Sequence, residues 1–366
     1  MRAQHALATV TVVVAAALVA AGCGSNTKEV TGQSATAAAS NGGTGTALNG
    51  AGSTFQEPLV VKWSGDYAKT KGAGTVNYQG VGSGAGIEQF TKKTVDFGGT
   101  DAPMKDEEIA AAQAAGGDVL HIPIALGAVV ATYNLEGIDD LKLDGPTLAD
   151  IYEGKVKRWN DKEIADLNKG VDLPSTDIAV VHRTEESGTT FVFTGYLSAV
   201  DKNWADGPGQ SKAPKWPVGT GGQGNDGVAA AVQQQKGAIG YTEISYALQN
   251  NLSFAQLKNE AGEFVKASLE STTAAGEGFD YPDDLRFSLL NSKTKGAYPI
   301  VSATWQLVWA DGSKAGQDAA KVKEIKNWLT WELTEGQAEA AGLDYAPLPK
   351  DLLAKATAAV DSVQGD

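Results

Sequence analysis

The chain has 366 residues, of which 42% are hydrophobic and 20% charged, which predicts a globular protein long enough for two domains. Its formal net charge of −14 argues against nucleic acid as a partner. The single cysteine, Cys23, excludes an internal disulfide. The three histidines are dispersed and there is no cysteine–histidine cluster, so no metal or other cofactor is expected.

The first 22 residues are typical of a signal peptide. An apolar run from Ala6 to Ala21 follows Arg2, is too short to span a membrane comfortably, and ends in small residues directly before Cys23. A lone cysteine at this point resembles the lipidated cysteine of bacterial lipoproteins, although Ala20 stands where such signals usually have leucine. The alternative is a secreted protein in which Cys23 has no such role.

Residues 23–48 are interpreted as the lipidated cysteine followed by a flexible tether. The part after Cys23 has no aromatic residue and is rich in Ser, Thr, Gly and Ala. Random-coil statistics give about 25 such residues a root-mean-square span of roughly 25–30 Å. The folded part of the protein would therefore stay close to the outer face of the membrane.

Predicted strands and helices alternate along the rest of the chain, which indicates the α/β class. Strands are predicted at residues 75–79, 94–99, 178–181, 238–241 and 299–309. Residues 119–134 are predicted to form either one strand or two, because Pro123 within them argues for a break. Helices are predicted around residues 58–67, 87–90, 148–152, 164–167 and 322–333, and from residues 106, 187 and 228 onward. The segments 199–219 and 270–297 are predicted to be irregular.

Three of the loops that lead into helices carry hydroxyl groups. Ser53 and Thr54 precede the first helix, Ser83 lies in a glycine-rich loop, and the segment 187–190 reads Ser-Gly-Thr-Thr. A helix N-terminus offers unpaired N–H groups, and Arg183 would add a planar fork for two oxygens of an oxyanion. The last loop is therefore a candidate anion site, and the alternative is an ordinary helix cap beside a surface arginine.

Asp101 lies at a fourth junction, between the strand at 94–99 and the helix that starts near Asp106. From its position alone it fits either a cap of that helix or a functional hydrogen-bond acceptor.

Two glycine-rich motifs do not predict nucleotide binding. Residues 222–227 match the G-x-G-x-x-G pattern formally, but residues 215–220 make a poor core strand, so the required context is missing. The loop 80–86 is neither a P-loop nor a nucleophile elbow, because no Gly-Lys-Ser/Thr follows and Val81 stands two residues before Ser83.

Several segments together resemble the phosphate-binding proteins of phosphate-specific ABC transporters. They are Ala51-Gly52-Ser53-Thr54-Phe55, Gln79-Gly80-Val81-Gly82-Ser83-Gly84, Asp96 to Pro103, Arg183 to Thr189, Trp216 to Gly219, Gly224 to Gly227, and Leu343 to Pro349. The resemblance extends over nearly everything from residue 49 onward, and it is the combination that is specific.

The resemblance implies a type II periplasmic-binding-protein fold, in which two α/β domains close on the ligand in the cleft between them. Domain one would be residues 49–132 plus 298–366 and domain two residues 133–297, with hinge crossings near 132–134 and 297–300. The protein would be a monomer that binds inorganic phosphate outside the cytoplasmic membrane and delivers it to the permease subunits of an ABC importer.

The resemblance also implies a set of phosphate contacts from both domains. They are Thr54, Phe55, Ser83, Asp101, Arg183, Ser187, Gly188 and Thr189. Asp101 would select the anion, since an ionised carboxylate only accepts hydrogen bonds and phosphate near neutral pH still has a proton to donate. Sulfate has none, so it would place two acceptors together at a buried charge.

Two residues depart from the pattern of the family. Glu185 stands where an aspartate normally braces the arginine, and its extra methylene changes the distance at which Arg183 would be braced. Glu186 adds a negative charge near the site, and we expect it to point to solvent.

Other functions remain as alternatives. A phosphatase-like enzyme would need a nucleophile with a base, or a metal; His182 adjoins Arg183, but neighbouring strand residues face opposite sides, so it should face away from the site. The remaining alternatives are a binding protein for another tetrahedral oxyanion, such as sulfate or molybdate, and an adhesin or signalling lipoprotein with the same fold.

Overall fold

The structure is a computed structural model that describes residues 45–365. The predicted signal peptide, Cys23 and the tether up to residue 44 lie outside the described residues. Among residues 45–365, no helix combines the length and the apolar character needed to cross a membrane.

The described chain contains short strands near its start and two long ones. The strands are β1 Leu48–Gly52, β2 Val76–Gly80, β3 Phe97–Thr100, β4 Val119–Tyr133, β5 Lys142–Leu143, β6 Ala179–Arg183, β7 Thr220–Gly222, β8 Ala238–Glu243, β9 Ser253–Phe254, β10 Gln256–Lys258, β11 Phe264–Val265 and β12 Val301–Trp309.

Helices follow most of these strands, as expected of the α/β class. They are α1 Glu57–Tyr67, α2 Ser83–Thr91, α3 Asp106–Gly116, α4 Gly145–Tyr152, α5 Lys162–Leu167, α6 Gly188–Val200, α7 Lys202–Asp206, α8 Gly224–Gln234, α9 Ile244–Gln249, α10 Leu269–Gly276, α11 Ala319–Trp331, α12 Gln337–Ala340 and α13 Lys350–Asp361. A π-helical turn, Glu332–Gly336, joins α11 to α12.

One twisted sheet runs through the molecule in the order β2-β1-β3-β12-β4-β8-β6-β7, with β9 paired to β4. Strand β1 is parallel to β2 and β3, whereas β12 is antiparallel to β3 and β4. We call the part from β2 to β12 with its helices the first lobe, and the part formed by β8, β6 and β7 with α4 to α9 the second lobe.

Strand β4 connects the two lobes because it changes partner along its length. Residues 119–128 pair with β12, and residues 129–133 pair with β8. All but the first two of its 15 residues are buried, so the strand lies in the centre of the hydrophobic core. The proposed domain boundaries and hinge crossings themselves stay predictions.

Pro123 does not break the strand, contrary to one of the two predictions for residues 119–134. The register instead shifts by one residue, so that Thr304 pairs with Ala125 and Trp305 with Pro123. Proline lacks the N–H that an uninterrupted ladder needs, and a bulge accommodates it without ending the strand.

Several predicted boundaries need correction. Helix α8 begins at Gly224 rather than Val228, and the segments predicted as irregular contain α7 and α10. Strand β1 begins at Leu48, the last residue of the predicted tether, and the Gly45 N–H already donates to Ala73 O at 3.0 Å. The folded part therefore starts before residue 49.

The segment 281–287 belongs by sequence to predicted domain two but packs on the first lobe. The indole of Trp305 donates to Leu285 O at 2.8 Å, and the ring of Phe287 meets Trp305 edge-on with centroids 5.4 Å apart. Lys355 of α13 also donates to Tyr281 O at 2.6 Å. This stretch therefore crosses back over the first lobe before β12 begins.

Candidate functional site

The loop between β6 and α6 delivers one side of the site. Strand β6 ends at Arg183, and Ser187 is the N-cap of α6, where its hydroxyl accepts the Thr190 N–H at 3.1 Å. The N–H groups of Gly188 and Thr189, at the first turn, have no acceptor within the helix. They lie at the positive end of the helix dipole, which favours an anion there.

The loop between β1 and α1 delivers the opposite side. Two buried tyrosines fix its carbonyls: Tyr246 donates to Thr54 O and Tyr345 to Phe55 O, each at 2.6 Å. The Phe55 N–H donates to Ser53 Oγ at 2.9 Å. With these peptide groups held, the loop presents the Thr54 hydroxyl toward the second lobe.

Arg183 joins the two sides and is only 3% exposed. Its guanidinium donates to Thr189 Oγ1 at 3.2 Å and, across the cleft, to Thr54 Oγ1 at 3.1 Å. The Nε atom donates to Glu185 Oε1 at 2.9 Å, and a second guanidinium nitrogen reaches the same oxygen. Glu185 therefore braces the arginine despite its extra methylene.

The charge of Glu185 is maintained by this contact. Burial disfavours its ionised form, but the guanidinium of Arg183 holds the pKa of the Glu185 carboxyl below its ordinary value. Glu186, by contrast, is exposed, as predicted, and its carbonyl accepts the Gly84 N–H of the first lobe at 3.0 Å.

Asp101 is a buried carboxylate among hydroxyl groups and is 1% exposed. Thr304 Oγ1 donates to its Oδ1 at 2.7 Å, Ser53 Oγ donates to Oδ2, and Ser83 Oγ lies 3.5 Å from Oδ2. Burial raises the pKa of Asp101 to about 6, although the hydroxyl donors and the charge of Arg183 oppose this rise. It does not cap α3, which starts five residues later with Lys105 in the N-cap position.

Helices α2 and α6 meet head to head at the site. Ser83 is the first residue of α2 and Gly188 the first of α6. A Cβ atom at Gly188 would overlap with Ser83 Oγ and with the carboxylate of Asp101. Glycine at this position is therefore what allows the two lobes to approach so closely.

Asn225 is a site residue that the sequence analysis missed. It is fully buried at the start of α8, and its Nδ2 donates to Thr54 Oγ1 at 2.9 Å and to Thr189 Oγ1 at 3.2 Å. Its Oδ1 accepts the Glu243 N–H at 3.0 Å, which fixes the orientation of the amide. Arg183 and Asn225 thus bridge the same two threonine hydroxyls.

Glu243 continues this network toward the C-terminal part of the first lobe. Its Oε2 accepts the Ser245 N–H at 2.9 Å and lies 3.2 Å from the hydroxyl of Tyr345. Burial raises the pKa of Glu243 to about 8.

The structure brings all eight predicted site residues together at the contact between the two lobes, while Cys23 lies outside the described residues. Three further residues lie at the site that were not predicted to belong to it: Ser53, Asn225 and Thr304. The first two stand in motifs already noted, Gly52 to Phe55 and Gly224 to Gly227. Thr304 gave a weaker signal: it alternates with Ser302 and Gln306 along an otherwise apolar strand.

The arrangement is suited to holding an anion that carries a proton. Hydroxyl, amide, guanidinium and helix N–H donors surround one carboxylate acceptor. His182 stacks on Trp216 with ring centroids 4.8 Å apart and is not directed into the site. No group of three or more metal-ligating side chains was found among residues 45–365.

Two lobes connected through the shared strand β4, with the polar cradle between them, define a solute-binding protein of the periplasmic-binding-protein class. The family described as "PBP superfamily domain" matches residues 34–334. The chain is 42% identical over 310 residues to the phosphate-binding protein PstS of Xylella fastidiosa strain Temecula1, covering 84% of this chain and 82% of that protein. It is 41% identical over 312 residues to PstS of Pasteurella multocida, covering 84% and 88%.

A third relative matches almost end to end: PstS 3 of Mycobacterium tuberculosis is 35% identical over 370 residues, covering 97% of this chain and 98% of that protein. The chain therefore belongs to the PBP superfamily and, within it, to the family of phosphate-binding proteins PstS. The prediction of this family is confirmed.

Solved structures confirm the predicted type II periplasmic-binding-protein fold. A high affinity periplasmic phosphate-binding protein, solved with bound phosphate, superimposes with a TM-score of 0.70 at 23% identity, covering 86% of this chain and 93% of that one. A phosphate ABC transporter substrate-binding protein from Clostridium perfringens gives a TM-score of 0.60 at 18% identity, covering 83% and 100%.

Proposed function

We propose that the protein binds inorganic phosphate outside the cytoplasmic membrane and delivers it to an ABC importer. The phosphate would lie between the two lobes, held by the eight predicted residues Thr54, Phe55, Ser83, Asp101, Arg183, Ser187, Gly188 and Thr189. Asn225 would support them by orienting the threonine hydroxyls. The names of the relatives support phosphate as the ligand, and the geometry of the cradle supports it independently.

One observation carries this proposal: the buried carboxylate of Asp101 faces donor groups, whereas the nearby carboxylate of Glu185 is already engaged by Arg183. Near neutral pH phosphate retains a proton that it can donate to Asp101, while its other oxygens accept from the donors. Sulfate has no proton and would leave two acceptors facing each other. Mismatches of this kind reject a ligand by about 10⁴-fold or more.

The geometry of the site supports the alternative functions less well than it supports phosphate binding. A binding protein for sulfate or molybdate would not need the carboxylate of Asp101 at its centre. A phosphatase-like enzyme would need a nucleophile beside a base, and the histidine nearest in sequence to Arg183 is stacked on Trp216 instead. The family to which the chain belongs consists of phosphate-binding proteins, so we propose transport and no catalysis.

Equilibrium binding of radiolabelled phosphate, with sulfate as competitor, tests the proposal. We expect saturable binding of one phosphate per chain that excess sulfate does not displace at pH 8. Replacing Arg183 with alanine should weaken binding by about 2–5 kcal/mol, because a buried charged partner is removed. Arg158→Ala is the control, since that side chain is 60% exposed and pairs with the exposed Asp177. Equal displacement by sulfate would contradict the assignment of the ligand.

We further propose that Cys23 is lipidated and anchors the protein, as a monomer, to the outer face of the membrane. Detergent partitioning and mass spectrometry of the N-terminal peptide would show the lipid directly. Cys23→Ala should release the protein from the membrane fraction without changing its affinity for phosphate. Retention of the variant in the membrane would contradict the anchor.

A further inference from the structure

The hydroxyl groups around Asp101 are directed toward its carboxylate by N–H donors on their far sides. Ser53 Oγ accepts the Phe55 N–H at 2.9 Å and donates to Oδ2. Ser83 Oγ accepts the N–H of Asp101 itself at 3.2 Å. Because a hydroxyl has one proton, a donor at its lone pair leaves that proton free to point at the carboxylate.

Thr304 is the third hydroxyl of this set and belongs to β12. Its Oγ1 accepts Gln56 Nε2 at 2.8 Å and donates to Asp101 Oδ1 at 2.7 Å. The same Gln56 nitrogen donates to Trp305 O at 3.0 Å, so a reversed amide would place two oxygens against each other. Both side chains are fully buried, and water does not compete for these bonds.

We propose that Thr304, oriented by Gln56, is a positioning residue that determines the specificity of the site for phosphate over sulfate. The inference rests on the proposed function. Thr304 acts through Asp101: its bond to Oδ1 favours the ionised carboxylate, which can only accept a hydrogen bond. A neutral Asp101 would carry a proton and could donate it to sulfate, which removes the reason for rejecting that anion.

The other groups that face Asp101 do not replace the hydroxyls in setting its ionisation. Arg183 of β6 is the one cation among them, and it also favours the ionised carboxylate. Tyr78 of β2 is neutral, because burial raises the pKa of its phenol well above the ordinary value. Gly188 of α6 and Ser302 of β12 do not titrate. The pKa of Asp101 is about 6, and its hydroxyl donors lower it. Loss of one donor would therefore raise this pKa, so that Asp101 becomes protonated closer to neutral pH.

Competition binding across a pH series tests the proposal. Phosphate and sulfate affinities would be measured by calorimetry between about pH 5 and pH 8 for the wild type, Thr304→Val and Thr304→Ser. Sulfate should compete with phosphate only as the pH falls through the pKa of Asp101. We call the pH at which sulfate begins to compete the onset pH. In Thr304→Val the onset pH should rise by about one unit, and in Thr304→Ser it should return to the wild-type value, because serine keeps the hydroxyl.

The possible results of this experiment distinguish the role of Thr304 from the proposed function. The inference is overturned if the onset pH of sulfate competition does not rise in Thr304→Val, or if Thr304→Ser does not return it to the wild-type value. It is also overturned if Thr304→Val loses affinity for phosphate and for sulfate equally at every pH. If Thr304→Val does not fold, Gln56→Leu replaces it, since freeing the threonine hydroxyl should shift the onset in the same direction. A wild type that binds no phosphate would refute the proposed function, whereas phosphate binding with an unmoved onset refutes only the role of Thr304.

Discussion

An ion pair across the cleft should slow the release of phosphate. Lys212, in the loop after α7, pairs with Glu108 of α3, and the two side chains are 6% and 22% exposed. The Lys212 carbonyl also accepts the Ser187 N–H at 3.0 Å, so the contact lies directly behind the first turn of α6. Because Lys212 and Glu108 come from different lobes, opening the cleft would separate them and expose both to water.

Glu108→Gln should therefore destabilise the closed form and leave the open form nearly unchanged. Glutamine can still accept the Lys105 N–H, which Glu108 Oε2 accepts at 2.8 Å, so the start of α3 is retained. A hydrogen bond between charged groups contributes about 1.5–3 kcal/mol, and partial exposure reduces this to about 1–2 kcal/mol. Phosphate release should then be about 5- to 30-fold faster, at an almost unchanged association rate.

Stopped-flow fluorescence of phosphate release would measure this effect. Glu107→Gln is the matched control, because Glu107 lies on the same helix, is 77% exposed, and is 3.8 Å from Lys105 rather than in contact with the second lobe. Release from Glu108→Gln at the wild-type rate would refute the reasoning, and an equal acceleration in both variants would point to α3 as a whole rather than to the ion pair.

Three further predictions concern the site itself. Asp101→Asn should reduce the difference between phosphate and sulfate affinities at pH 8, because sulfate can then bind. Titration calorimetry with both anions measures this difference, and a variant that still does not bind sulfate would contradict the prediction. Gly188→Ala should weaken phosphate binding by about 1–3 kcal/mol, because its Cβ would collide with Asp101 and Ser83, whereas Gly65→Ala, with no atom near its Cβ, should not. Since the folded-state pKa of Glu243 is about 8, above its ordinary value, stability should fall as the pH rises from about 4.5 to 8. Glu243→Gln should remove this part of the pH dependence in thermal unfolding.

The sequence predicted the parts of the fold that depend on local pattern. Apolar runs identified the long strands β4 and β12, and the family pattern located residues from four loops that the structure brings together. Helix α10 escaped prediction because its sequence, Leu-Glu-Ser-Thr-Thr-Ala-Ala-Gly, has hardly any apolar periodicity. Its start depends on Ser268, which accepts the Ser271 N–H at 3.2 Å.

The residues behind the first contacts could not be predicted in the same way. Asn225 bridges Thr54 and Thr189, which are distant in sequence, and the motif Gly224 to Gly227 in which it stands does not indicate which residues it contacts. The effect of Glu185 depended on local side-chain geometry, because only the structure shows that the longer side chain still meets Arg183 two residues before it. Contacts between distant segments, such as that of Asn225 with Thr54, are set by how the two lobes pack against each other.

The position of β1 determines how the molecule would bear a mechanical load. The chain that precedes residue 45 leads directly into this strand, which is hydrogen-bonded along one edge to β2 and along the other to β3. If Cys23 anchors the protein as proposed, a pull on the N-terminal end would act along β1 and load both ladders in shear, so that many hydrogen bonds resist together. Thr54 follows two residues after β1 ends, and the pairing of this strand on both edges would isolate the binding loop from any force applied through the N-terminal end of the chain.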